Sequence, residues 1–365
     1  MKIIKAIFVI SLLVVAFLFI STPDRALAAN NPVDEKWWPS EFGPDDQAGA
    51  TNYITPQKRI EAAKLVKQGK SITIGMPYHN GMPLVPGRTY ALSIPGGGNP
   101  LHGPFKWQGD QFKMTFNDEL LTAEIGQVGT QFDSIGHPMI RIQGVPGWKD
   151  GDYMYNGHRL QDTFNGRGLK YDGVETIAHK GYFTRGILID IPALKGVERL
   201  EKGYAITMAD FKAALQKEGI GEPTQGDVVL VRTGWIQLWK GYMDADGIRP
   251  SDKVSPADMA KANAEFGSGE PGVAPEVCDY LASKKISMIG SDTWGLEPYD
   301  FAKNPAPEPF AYCHMNLVTR RGIGNFENLD LEVLSKEKAY EFLFAWSPLR
   351  LVGATGSPGN PVVAW

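Results

Sequence analysis

The distribution of apolar and polar side chains divides this chain into three regions. At the start, Met1-Lys2-Ile3-Ile4-Lys5 leads into an apolar run from Ala6 to Ile20, followed by polar Ser21-Thr22-Pro23-Asp24-Arg25 and then Ala26-Leu27-Ala28-Ala29. A basic end, an apolar segment and small residues at alternate positions are the layout of a secretory leader. Cleavage after Ala28 is expected. An uncleaved anchor is the alternative, since the run falls only slightly short of the roughly 18 residues that span a bilayer.

From Ile72 to Trp148 the chain is rich in Gly, Pro and aromatics, with short strand-like pieces among many turn signals. This loop-rich β half is expected to lie over the working end of a sheet. Beyond it, apolar runs alternate with amphipathic segments. Gly186-Ile187-Leu188-Ile189-Asp190-Ile191, closed by Pro192, reads as a covered strand. Thr207-x-x-Asp210 caps a helix that carries Phe211, Ala214 and Leu215 on one face and stops at Gly219. A strand over Asp227–Arg232, a helix from about Pro275 to Lys285 and a strand over Ile286–Gly290 follow. A late helix around Glu337 to Trp346 precedes Leu349-Arg350-Leu351-Val352. This repetition predicts an α/β fold with a mixed sheet and flanking helices.

Composition adds limits rather than an identity. After Asn30 no comparable apolar run recurs and no low-complexity linker divides the chain, so residues 29–365 are expected to form one domain, soluble and outside the cytoplasm, secreted or periplasmic. The net charge of −4, with acids and bases interspersed, offers neither a stripe for nucleic acid nor a polybasic membrane patch. A small-molecule substrate is the expected partner. The two cysteines, Cys278 and Cys313, exclude a disulfide framework and a zinc ribbon; two buried thiols are expected, with pairing as the alternative in an oxidising compartment.

Two polar clusters stand out. In an extended stretch from Gln127 to His137, alternate positions bring Gln127, Gln131, Asp133 and His137 to one face. Farther on, His314 and Glu327 sit in short segments flanked by apolar residues. Imidazole and two carboxylates would suit Zn²⁺ or Mn²⁺. The same residues would also serve as a surface pair, a satisfied core histidine and a solvated acid. His79, His102, His158 and His179 read as ordinary loop residues, with His79 and His102 the two placed to reach a site from the first half.

Gly129-Thr130-Gln131-Phe132-Asp133-x-x-x-His137 resembles the HxGTHxDxxxH signature of the putative-cyclase family, which includes bacterial kynurenine formamidases and isatin hydrolase. The resemblance continues through Gly226–Trp235, Pro271-Gly272-Val273, Ile289–Thr293, His314, Phe326-Glu327-Asn328-Leu329 and Ser347–Leu351, covering roughly residues 70 to 362. It implies a swivelling β/β/α fold, a homo-oligomer, and metal-assisted hydrolysis of a cyclic or N-acyl amide. By that pattern Asp133, His314 and Glu327 bind metal and His137 shuttles protons. Here both signature histidines that open the motif are glutamines, Gln127 and Gln131. An amide oxygen is a poorer zinc ligand than imidazole. The expectation is therefore one divalent metal, Zn or Mn, held by Asp133, His314 and Glu327, with Gln131 adding a weak oxygen ligand or orienting water. Gln127, Tyr155 and Trp294 are the candidate substrate contacts.

The chemistry expected is water attack on an amide, lactam, ester or lactone carbonyl, arylformamidase-like. A metal-dependent cyclase or dehydratase, and an exported binding protein that has lost catalysis, are the competing readings. Neither a Gly-x-Ser-x-Gly elbow nor a catalytic-cysteine signature is present.

Overall fold

The computed structural model describes residues 36–85, 87–95, 105–108, 111–114, 117–303 and 311–365; the leader, its cleavage position and His102 lie outside the described residues. Among the described residues no helix is long and apolar enough to cross a membrane.

A nine-stranded mixed sheet dominates. Its strands are β1 (Ser71–Thr73), β2 (Gln131–Asp133), β3 (Tyr182–Asp190), β4 (Val228–Arg232), β5 (Met288–Ser291), β6 (Gly324–Glu327), β7 (Glu341–Trp346), β8 (Gly356–Pro358) and β9 (Val362–Ala364), in spatial order β1-β9-β7-β3-β4-β5-β6-β2-β8. The centre, β3-β4-β5-β6, is parallel. Such strands are covered on both faces and read as continuous apolar runs, which is why Gly186–Asp190 and Val228–Arg232 were legible.

Alternation along these strands divides the core in two. Ile187, Ile189, Val229, Val231 and Ile289 pack under α1 (Met208–Glu218) and α2 (Pro275–Ser283), against Phe211, Leu215, Val277 and Leu281. Leu188, Val228, Leu230, Met288 and Phe326 face the opposite layer, with Phe132, Val174, Ile177, Phe342 and Phe344. α1 begins with the capping box expected from its sequence: Thr207 accepts from the Asp210 amide, Asp210 returns the bond, and Gly219 closes the helix in the left-handed region.

Two expectations are corrected. The stretch from Glu337 to Trp346 is not a helix. A short helix, Glu332–Glu337, stops at Lys338 (φ 52°), and Glu341–Trp346 is β7, paired antiparallel to β3 and β9. Its period is two rather than 3.6: Phe342 and Phe344 are fully buried on one face. The cysteines, expected as free thiols, form a disulfide with Cα atoms 5.6 Å apart. Cys278 lies in α2 and Cys313 immediately precedes the turn that begins at His314, so the bridge fastens that turn to the helical layer.

The first half supplies β1, β2 and a hairpin, Tyr90–Ser93 with Leu120–Ala123. Rather than only lying over the sheet, β2 enters it, antiparallel to β6 and β8.

A bridge spanning 35 residues constrains the unfolded chain by about 2–4 kcal/mol. Cys278→Ser is expected to lower the midpoint of chemical denaturation by a corresponding amount; an unchanged midpoint under oxidising conditions would show that the bridge contributes nothing to stability.

Candidate metal centre

The register between β2 and β6 builds the centre. Asp133 lies opposite Asn325, Phe132 opposite Phe326 and Gln131 opposite Glu327. Paired residues share a face and successive residues alternate, so the two phenylalanines go to one core while Gln131, Asp133, Asn325 and Glu327 point together to the other side. Gln131, Asn325 and Glu327 have no exposed surface and Asp133 has 1%. Ahead of β2, the chain turns at Gly129 (φ 64°), where a Cβ would lie 2.4 Å from the Tyr78 ring; only glycine fits there.

His314 opens a short π-helical turn, His314–Thr319, a geometry that recurs at functional sites. Its ring is fixed from behind. Nδ1 lies 2.8 and 2.9 Å from the two Glu297 oxygens, and its backbone amide donates to the same carboxylate at 3.0 Å. Nδ1–H donated to Glu297 leaves Nε2 facing inward, 3.5 Å from Asp133 Oδ2 and 3.3 Å from Glu327 Oε1. One donor atom from each of Asp133, His314 and Glu327 lies within 4.8 Å of the others.

The charges explain what this arrangement needs. Burial first, then the neighbouring Asp133 charge, push the Glu327 pKa up to about 8. Burial also works against a charged Asp133, but His137 and His314 outweigh it and hold that carboxyl below its usual value. His314 would be neutral by burial alone; the Glu297, Asp133 and Glu327 carboxylates around it hold it well above the ordinary histidine pKa. Asp133 Oδ2 is buried without a hydrogen-bond partner among the described residues. An unpartnered carboxylate oxygen, a second carboxylate and an imidazole form a donor set that fits a divalent cation, which would displace the shared proton.

Gln131 is not placed as a ligand. Its oxygen accepts from the Val128 amide at 3.0 Å, which fixes its NH₂ toward Glu327 Oε2 at 2.6 Å. Asn325 donates to the other Glu327 oxygen at 2.8 Å. Gln127, at φ 56°, arrives from the turn rather than along an extended strand; it reaches Glu327 Oε2 at 3.4 Å and accepts from Arg88 at 3.3 Å. His137 also comes from a turn, closed by its amide on the Ser134 carbonyl, with Nε2 3.6 Å from Asp133 Oδ2 and its side chain one quarter exposed. The expected convergence is present, but only residues 131–133 achieve it by strand alternation.

A cavity of about 370 Å³ opens onto this cluster. Arg88, Gln127, His137 and His314 contribute its polar wall, and Val85, Pro138, Trp294 and Tyr299 its apolar wall. Trp294 stacks on Tyr299 at 5.5 Å and donates its indole N–H to the Phe266 carbonyl. Tyr155 is not in this cavity. Its hydroxyl donates to Asp46 at 2.8 Å and its ring packs in the opposite core, because the turn after Asp152 leads away from the cluster. Asp152 itself pairs with Arg141. His79 packs edge-on against Trp239 and Tyr242, His158 holds Asp172 at 2.9 Å, and His179 ends a helix rather than a loop.

Three residues escaped the sequence reading. Asn325 sits two positions before Glu327, a spacing that strand alternation makes visible. Arg88 had no distinguishing pattern. Glu270, in what reads as a Gly-Glu-Pro-Gly turn, is fully buried; burial, then the Glu327 charge, raise its pKa well above the usual range, and it accepts from the Trp294 amide at 2.7 Å.

Comparison with known proteins decides the lineage. The profile described as putative cyclase matches residues 72–298, more than half of the chain. The chain belongs to this family. Isatin hydrolase of Roseibium aggregatum is 32% identical over 154 residues, which are 41% of this chain and 49% of that protein; the chain thus spans about half the length of the curated relative it matches. A crystal structure described as a novel cyclase superposes with a TM-score of 0.70 at 28% identity, covering 89% of this chain and 96% of that one. An isatin hydrolase bound to the product analogue thioisatinate matches in fold, with a TM-score of 0.51 at 19% identity over 85% of this chain and 98% of that one. His314 and Glu327 lie beyond the segment that this cyclase profile covers.

Because Glu297 sets the ring orientation of His314, Glu297→Gln is expected to weaken Zn²⁺ or Mn²⁺ binding about 10- to 100-fold in chelator competition, with the circular dichroism spectrum retained. Undiminished affinity would show that the ring needs no such support.

Proposed function

We propose that this protein is a metal-dependent hydrolase of amide, lactam, ester or lactone bonds, acting outside the cytoplasm. The observation that carries this reading is the convergence of Asp133, His314 and Glu327 donor atoms, one carboxylate oxygen unpartnered, beside a cavity that His314 lines together with His137. The relative and the fold neighbours that include isatin hydrolases support it.

Asp133, His314 and Glu327 would hold one divalent ion, Zn or Mn. Such an ion, when bound, supplies Lewis acidity for a carbonyl and makes water ionisable near neutral pH. The remaining work falls to the chain. Glu297 fixes the tautomer of His314, and Gln131 and Asn325 hold the two oxygens of Glu327, so that these groups enter the reaction already oriented. Gln131 thus takes a positioning role here. His137 Nε2, beside Asp133 and open to the cavity, takes the proton from the attacking water and returns it to the leaving nitrogen or oxygen. Trp294 and Tyr299 provide a flat apolar surface for the substrate and exclude bulk water, while Gln127 lines the side nearest Glu327.

After reconstitution, plasma mass spectrometry is expected to find about one Zn or Mn per wild-type chain and none in Asp133→Ala. His137→Ala should keep the metal and lose about 10²- to 10⁴-fold in turnover of an aryl formamide or lactone. A chain without stoichiometric metal would instead favour a binding protein, and unchanged turnover in His137→Ala would remove that residue from the mechanism.

A further inference from the structure

Arg88 stands at the mouth of the cavity, and among the described residues the one hydrogen-bond partner of its side chain is a neutral amide. Its guanidinium donates to Gln127 Oε1 at 3.3 Å. Among the described residues no carboxylate lies within 4.0 Å of it. Two acids feel its field, and both are committed elsewhere. Glu124 gives Oε2 to the Thr89 amide at 2.6 Å and to the Thr89 hydroxyl at 2.7 Å. Asp133 faces His137 and His314 in the buried cluster.

The charges in the cavity give this guanidinium a meaning. The buried carboxylates of the cluster, Asp133, Glu327 and Glu297, all face His314, so none of them is turned to the cationic side chain at the mouth. Val85, Pro138, Trp294 and Tyr299 make the rest of the wall apolar. Arg88 is exposed, so its fork is open to a carboxylate arriving from solvent, while the apolar wall offers a surface to a flat body. Its place is also fixed relative to the chemistry. Gln127 accepts from Arg88 with its oxygen and faces Glu327 with its nitrogen, so a single amide separates the guanidinium from a candidate ligand. An anion held by Arg88 would lie on the side of the cavity that Gln127 shares with Glu327.

We infer that Arg88 is a specificity-determining residue that selects substrates carrying a carboxylate close to the bond to be cleaved, on an aromatic or similarly flat apolar body that lies against Trp294. This rests on the hydrolase reading of the same cavity. Arg88 recognises the substrate carboxylate, which is unchanged by the reaction, while His137 and the buried cluster act on the neighbouring amide or ester.

The test compares 2-formamidobenzoate with formanilide, which lacks the carboxylate, on the metal-loaded protein. The ratio of kcat/KM values is expected to be about 10 to 100 in wild type, the range that charge-assisted hydrogen bonds of this kind provide. It should fall to near one in Arg88→Gln, mainly through KM, and recover in part in Arg88→Lys. If Arg88 only props Gln127, both substrates lose equally and the ratio survives; that result, or a wild type with no preference, overturns the proposal. Binding of 2-aminobenzoate, followed by calorimetry, provides a readout that needs no turnover. Loss of its affinity in Arg88→Gln supports the proposal even where neither amide is cleaved, an outcome that would count against the hydrolase reading alone. Equal affinity in wild type and Arg88→Gln overturns it.

Discussion

Two carboxylates buried side by side dominate the energetics of this protein. Asp133 and Glu327 have essentially no exposed surface, and their repulsion in a dry interior holds a proton on Glu327 up to a pKa of about 8. Removing one charge from water costs several kcal/mol even after relaxation. The surrounding structure is arranged to hold such a pair: His314 faces both acids, Glu297 stands behind His314, and Gln131 and Asn325 grip the oxygens of Glu327. That donor set fits a divalent cation, which would replace protons with charge. Such a pair costs folding stability, as is common where a chain is shaped for a ligand rather than for its own folding.

The scaffold serves this constraint at several distances. The β2–β6 register decides which side chains enter the cluster, and the parallel centre of the sheet fixes where the register sits. The disulfide joins α2 to the residue before His314. The loop after β5 delivers Trp294 to the cavity and Glu297 to the imidazole, an arrangement in keeping with open α/β sheets, where ligand sites gather beyond the carboxyl ends of parallel strands. Neither Gln127 nor Gln131 leaves its amide idle. Gln131 uses both its oxygen and its nitrogen, and Gln127 bridges Arg88 and Glu327. Each glutamine turns its nitrogen toward Glu327 Oε2.

The parallel strands, the capping box of α1 and the clustering of Asp133 with His137 could be read from the sequence because each depends on neighbours within a few residues. Fully buried strands are apolar throughout, and a capping box is four residues long. The failures have the opposite character. The stretch around Glu337 to Trp346 suits a helix or a strand in sequence, an aromatic-rich run between charged residues, and only the pairing of Glu341–Trp346 with β3 selects period two. Tyr155 follows Asp133 closely in sequence yet enters the other core. Free thiols are the expectation because unpaired cysteines are commonly buried, and a separation of 35 residues says nothing about a 5.6 Å approach of two Cα atoms.

The sequence by itself determined the family, the alternation of strands and helices, and the residue types from which a metal centre could be made. These rest on local periodicity and on side-chain chemistry that no fold alters. Only the tertiary structure decided that Asp133 and Glu327, 194 positions apart by their numbers, share one face; that Gln131 turns its nitrogen, not its oxygen, to the site; and that Glu270, Asn325 and Arg88 belong to the neighbourhood. Those facts depend on strand register, on which backbone amide competes for an amide oxygen, and on burial. Each is a property of groups distant along the chain that meet only when the sheet has closed.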